Sequence, residues 1–236
     1  MQPEQLPLAV RLRDDATFAN FYPGANAAAL GYVERLCLPG QSWMENLIWL
    51  WGSHGSGRSH LLQAACLHAQ EQGSRALYLP LAEFHEYGTQ VLEDVEDSDL
   101  VALDDVDLVL GQPQWEQRLF HLFNRLHDTG KAILFAAAAS PRELPVQLAD
   151  LQSRLNLALV FHLQQPNDEE KLRILQLRAS RRGLYLADEV GSYLLTHHSR
   201  SMGDLFMALE ELDQASLQAQ RRLTIPFVKQ VLAKAL

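Results

Sequence analysis

Apolar positions in this chain fall into short continuous runs that alternate with stretches of helical period. Leu47-Ile48-Trp49-Leu50-Trp51, within residues 46–51, is stopped by Gly52 and predicts a buried strand. From Ser59 to Gln72, Leu61, Leu62, Ala65, Cys66 and Ala69 recur at helical spacing, and Gly73 closes the segment. Further strands are predicted at Arg75–Leu79, Leu100–Leu103, Ala132–Ala136 and Ala158–Leu163. Trp115, Leu119, Leu122, Phe123 and Leu126 mark one face of a helix that stops near Gly130. Strands alternating with helices imply an α/β fold, a five-stranded parallel sheet flanked by helices on both faces.

The pattern changes at Pro166. Asn167 followed by Asp168, Glu169 and Glu170 reads as a helix start, a cap with acids on the positive end of the dipole. The rest reads as helix, at about 168–182, 187–197, 202–220 and 225–235, with Gly183 closing the first and Thr224 opening the last. Residues 1–12 hold Pro3 and Pro7 without periodicity and predict an extended tail. The expected organisation is a tail at 1–12, an α/β domain at 13–165 and a small all-helical domain at 166–236. Its length of 236 residues suits one larger and one smaller domain.

Composition narrows the partners. Apolar residues make up 47% and charged residues 21%, enough for a packed core. The formal net charge of −9 argues against a face that grips DNA phosphates strongly. No apolar run approaches the roughly 18 residues of a membrane helix. The first residues also lack the basic-then-apolar order of a signal peptide. Cys37 and Cys66 have no metal-type spacing and read as reduced thiols in a cytoplasmic protein.

Gly52-Ser53-His54-Gly55-Ser56-Gly57-Arg58-Ser59 lies between the first strand and the first long helix, where a P-loop belongs. Its glycines let backbone N–H groups turn toward phosphate oxygens, and the following helix points its positive end at them. Ser59 offers a hydroxyl to Mg²⁺. Arg58 stands where lysine is usual; it keeps the charge but is planar and bulkier. The alternative is a Gly-Ser turn joining strand to helix. His60 completes the candidate nucleotide-binding segment, Gly52 to His60, with its side chain expected to face the helix surroundings. Asp104-Asp105 end the third strand. There the first carboxylate can hold Mg²⁺ through water and the second can orient an attacking water. The alternative is two solvated acids opening a loop. None of the nine histidines forms a metal-binding motif.

These motifs belong to a wider agreement. Thr17-Phe18-Ala19-Asn20-Phe21 with Gly24 and Asn26, Gly52 to Leu62, and Leu103-Asp104-Asp105-Val106 resemble the DnaA-related AAA+ family of bacterial replication proteins. So do Phe120 to Asn124, His127, Gly130-Lys131, Pro141 to Leu144, Ser153-Arg154-Leu155 and Leu223 to Val228. Within that family the chain is more similar to the regulatory inactivator than to the initiator, since no helix-turn-helix domain follows Leu236.

The resemblance implies a P-loop AAA+ sheet with a helical lid, bound ADP (or ATP) with Mg²⁺, and DnaA as partner. It implies an arginine finger at Arg154, acting in trans on DnaA-bound ATP; the plainer reading is a surface arginine paired with a carboxylate such as Asp150. It also implies that Gln5-Leu6-Pro7-Leu8-Ala9-Val10 docks on the β sliding clamp of DNA polymerase III, with Gln5 at a pocket rim and Leu6 and Leu8 in apolar pockets; the plainer reading is a floppy tail with three apolar residues.

The chain departs from the family at Ala138, where a polar residue usually senses the γ-phosphate, and at Gly203, where the lid usually supplies an arginine; Arg200 lies about a turn away. The expected role is therefore a regulator that inactivates the initiator and not an enzyme in its own right. Two rivals are a self-sufficient P-loop ATPase resembling a helicase loader and a DNA-binding module. Homo-oligomerisation is left open.

Overall fold

The computed structural model describes residues 12, 15–38 and 46–233. The chain divides into two compact units, 1–164 and 165–236.

The first unit is built on β1 (Leu47–Trp51), β2 (Ala76–Pro80), β3 (Leu100–Asp104), β4 (Ala132–Ala137) and β5 (Leu159–His162). They form one sheet in the order β2-β3-β4-β1-β5, with every pairing parallel, as the sequence pattern predicts. Because side chains alternate across a strand, β1 feeds two cores. Leu47 and Trp49 face one apolar layer with Val101, Leu103, Ile133 and Phe135. Ile48 and Leu50 face the other with Ala102, Leu134 and Ala136.

Helices close both faces. On one side lie α1 (Ala27–Leu36) and α2 (Arg58–Glu71), whose Val33, Leu36, Leu61, Leu62, Ala65 and Cys66 are buried together. Between β2 and β3, a short α3 (Leu81–Phe84) and three 3₁₀ turns add Leu81, Val91, Leu92 and Val95 to the opposite layer. On that side also lie α4 (Pro113–Asp128) and α5 (Ala149–Leu155), which bring Leu119, Leu122, Phe123, Leu151 and Leu155 to the core. The periodicity predicts α2 and α4 but not α1 or α5.

Glu116 on α4 is 1% exposed. Its carboxylate accepts from the backbone N–H groups of Gly111 (2.7 Å), Gln147 (3.0 Å to each oxygen) and Leu148 (2.7 Å). It thereby ties the loop before α4 to the segment that leads into α5. A buried carboxylate is tolerable here because charge-assisted N–H donors surround it.

The second unit holds α6 (Asp168–Arg181), α7 (Asp188–His197), α8 (Met202–Ala219) and α9 (Ile225–Leu232) around Leu175, Leu194, Leu205, Leu209, Leu212 and Val228. The cap at Asn167 is reciprocal: Glu170 N–H donates to Asn167 Oδ1 at 2.9 Å and Asn167 N–H to Glu170 Oε2 at 2.9 Å. Thr224 accepts from Phe227 N–H and caps α9. Among the described residues no helix is long and apolar enough to cross a membrane.

Replacing Glu116 by alanine takes the acceptor from three part-buried N–H donors and is expected to lower unfolding free energy by about 2 kcal/mol. Urea denaturation measures it; an unchanged midpoint would contradict the tie described for this carboxylate.

Candidate functional site

β1 delivers the chain to residues 52–57 at the carboxyl edge of the sheet, and α2 starts at once, at Arg58 and not at Ser59. Two glycines have no room for a side chain. A Cβ on Gly52 would run into the Leu163 carbonyl oxygen. One on Gly57, whose φ is +97°, would lie 2.7 Å from the Phe21 ring. Ser56 N–H closes the turn on Ser53 O at 3.2 Å. Ser53, His54 and Gly55 are exposed at its tip, and Ser59 is half-buried.

Two polar groups in this turn are buried without a protein partner: Ser56 Oγ and Arg58 Nη1. The Arg58 side chain is 10% exposed. A hydroxyl and a guanidinium N–H left unsatisfied at the positive end of a helix of 14 residues fit phosphate oxygens, which would complete both. Arg58 Nη2 lies 3.7 Å from Asp105 Oδ1. The arginine therefore reaches from the turn to the end of β3, with one terminal nitrogen toward a carboxylate and the other unpartnered.

Asp104 is 2% exposed and accepts from Tyr78 Oη at 2.8 Å and from Asp105 N–H at 3.0 Å. Asp105 sits in the left-handed region, at φ 52°. Burial and the Asp104 charge raise its carboxyl above the ordinary 3.8; Asp107 adds to the rise, and Arg58 and His54 oppose it. Burial and the Asp104 carboxylate likewise push the Tyr78 phenol up. Asp107 Oδ1 accepts from Ala138 N–H at 3.1 Å, just beyond β4. Ser59 and Asp104 supply oxygen donors suited to a Mg²⁺ ion held mainly by phosphates and water. Among the described residues there is no group of three or more His, Cys, Asp or Glu side chains able to hold a metal alone.

The segment before α1 packs against the turn, which motif reading does not reveal. Phe21 covers Gly57, and its ring centroid is 5.7 Å from that of His60. His60 Nε2 is 2.9 Å from Thr17 O, so its ring is engaged by this segment. The Asn26 amide bonds to both backbone groups of Gln164, at 2.9 and 2.8 Å. Thr17 Oγ1 and Asn20 Oδ1 are buried without partners. Local signals (a strand, a glycine turn, a helix) are silent on these pairs, because they join residues up to 138 positions apart.

Arg154 is half-buried on the last turn of α5. Its guanidinium carbon lies 6.0 Å from the centroid of the Phe123 ring, and no carboxylate among the described residues pairs with it. Ala138 is exposed and presents only a methyl group. In the second unit, Gly203 lies in the first turn of α8, and Arg200 Nη2 is 3.9 Å from Asp168 Oδ2. Gln5 to Val10 lie outside the described residues.

A glycine turn between a central parallel strand and a helix, two acids ending the next strand but one, and a separate helical unit define a nucleotide-binding P-loop module of the AAA+ class. The family described as the bacterial DnaA ATPase domain matches residues 12–162, and that described as the Hda lid domain matches residues 168–232. The chain belongs to the bacterial DnaA ATPase-domain family and carries an Hda-type lid; it is a DnaA-related AAA+ protein of DNA replication. It is similar to domain III of the Thermotoga maritima replication initiation protein DnaA, at 25% identity and TM-score 0.77, over 95% of this chain and 98% of that one. It is also similar to AMPPCP-bound DnaA from Aquifex aeolicus, at 25% identity and TM-score 0.70, over 88% and 68%. A replication initiator DnaA bound to AMPPCP and single-stranded DNA matches at 25% identity and TM-score 0.67, over 89% and 69%.

The raised Asp105 carboxyl fixes a sign. Its ionisation is harder in the folded chain than in the unfolded one, so stability present below the ordinary carboxylate value is lost as pH rises through it. Asp105→Asn, which tolerates the left-handed backbone, should therefore gain stability over the parent as pH goes from about 4 to 7. Urea midpoints at both pH values test this; a gap that stays constant or narrows would contradict it.

Proposed function

We propose that this protein is a nucleotide-loaded regulator of replication initiation, holding ADP in its P-loop and stimulating hydrolysis of DnaA-bound ATP through Arg154. Relatives with the same fold are described with AMPPCP, which supports an adenine nucleotide as the ligand. Ser56 Oγ, Arg58 and the backbone of 52–59 would take its phosphates, with Mg²⁺ on Ser59 and Asp104. The observation that carries the reading is Arg154, a cation on the last turn of α5 that rests on an aromatic ring and has no carboxylate partner among the described residues. Such a group is available to a phosphate on another molecule. There it stabilises charge that develops as the γ-phosphoryl group leaves.

The chain's own equipment points the same way. Ala138 offers a methyl where a γ-phosphate sensor would need a polar group, and Gly203 has no side chain to contribute. Arg58 has one terminal nitrogen beside Asp105 and the other without a protein partner. Turnover in cis is accordingly slow, and the productive ATP is the partner's. In this scheme the segment Gln5-Leu6-Pro7-Leu8-Ala9-Val10 docks on the replicative sliding clamp and gathers clamp and initiator on one regulator. A proline within such a peptide restricts its unbound conformations, which reduces the ordering cost of docking.

Arg154→Ala is expected to reduce the stimulated hydrolysis of DnaA-bound ATP by about 10³-fold, to near the initiator's unassisted rate, with thermal stability little changed. A single-turnover assay with DNA-loaded clamp reads it, and undiminished hydrolysis would remove the finger assignment. ATP turnover by the purified chain without DnaA at a comparable rate would favour the self-sufficient ATPase instead.

For the tail, Leu6→Ala with Leu8→Ala is expected to weaken clamp binding by at least about tenfold, since two buried anchors are lost. Surface plasmon resonance on immobilised clamp measures this. An unchanged dissociation constant would exclude the segment as the docking peptide.

A further inference from the structure

The carboxyl end of β3 and the turn that follows it carry three acids, Asp104, Asp105 and Asp107, and each has different company. Asp104 is buried under the Tyr78 hydroxyl and the Asp105 N–H. Asp105 faces Arg58 at 3.7 Å. Asp107 is held by a backbone N–H, that of Ala138, and no cation among the described residues pairs with it. Its negative charge is fixed in place but not neutralised.

Its location matters because of the strand order. β4 lies between β1, which feeds the phosphate turn, and β3, which carries the acids. Arg58 spans from the turn to Asp105, so the end of β3 is within one side chain of the phosphate positions. Asp107 is anchored on the first residue after β4, in the sector between them. The side chain at position 138, the first after that strand, is a methyl group and offers no donor.

We propose that Asp107 makes this site selective for nucleoside diphosphates, by holding an unneutralised carboxylate on the side toward which a third phosphate would extend. The inference rests on the reading of residues 52–59 as a nucleotide site and names the residue that sets its phosphate number. Two phosphates are served by the turn, the helix end and Arg58. A third adds negative charge near a carboxylate that no cation neutralises, and the site disfavours it by repulsion.

The test compares ADP and ATP dissociation constants at fixed Mg²⁺ for the parent chain, Asp107→Asn and Asp107→Glu, by isothermal titration calorimetry. Asparagine keeps an acceptor for Ala138 N–H and removes the charge; glutamate keeps the charge. Asp107→Asn should tighten ATP by about tenfold while moving ADP by less than about twofold, as expected for one charge a few ångströms from the added phosphate. Asp107→Glu should retain most of the parent's ratio. Equal changes for both nucleotides, or no change for ATP, would overturn the proposal. A parent that binds ADP and ATP alike would instead count against the ADP-bound regulator, and the change of ratio in Asp107→Asn would still decide the role of Asp107. Unfolding midpoints of the variants separate a loss of fold from a change of preference.

Discussion

Between Trp51 and Arg58 the backbone passes two points where no side chain fits, and the site is arranged around that constraint. Gly52 lies against the Leu163 carbonyl, so the turn is pressed onto the chain leaving the edge strand. Gly57 lies under the Phe21 ring, so the segment before the first long helix is pressed onto the turn. The buried strand beneath, with Trp49 and Leu50 fully enclosed, keeps the turn from relaxing away. Trp49 extends the bracing sideways: its indole N–H donates to Ala139 O at 3.1 Å and fixes the loop that follows the neighbouring strand. The turn is thus braced from several sides, which would limit the ordering cost of holding a phosphate there.

Much of the architecture is legible in the sequence because it is local. Five apolar runs give five strands, and the Asn167 cap with its following acids marks the start of α6 to the residue. The helix over Ala27–Leu36 is hidden by its own composition: Ala27, Ala28, Ala29 and Gly31 give little periodic contrast, and Pro23 and Gly24 just before it read as loop. The helix over Ala149–Leu155 has 7 residues, too few for a pattern to declare itself. Residues 81–97 form short turns whose Leu81, Val91, Leu92 and Val95 are buried without any regular spacing.

The site divides along the same line. Its glycine turn and its acids are local signals that motif spacing exposes. Tyr78 on Asp104, Asn26 on Gln164, Phe21 over Gly57 and Asp107 on Ala138 are contacts between distant segments, and only folding brings them together. Two arginines that look alike in the sequence also part company. Arg58 is buried with one nitrogen beside a carboxylate and the other unpartnered, whereas Arg154 stands half-exposed on an aromatic ring. In the proposed scheme the first belongs to the chain's own nucleotide and the second to a neighbour's.

Both roles require a phosphate turn filled by a diphosphate. The most direct test is to denature the freshly purified protein and identify the released nucleotide by ion-exchange chromatography. ADP at close to one equivalent per chain is the predicted result. A chain that releases ATP, or that carries no nucleotide and takes up none when ADP is added, would contradict it.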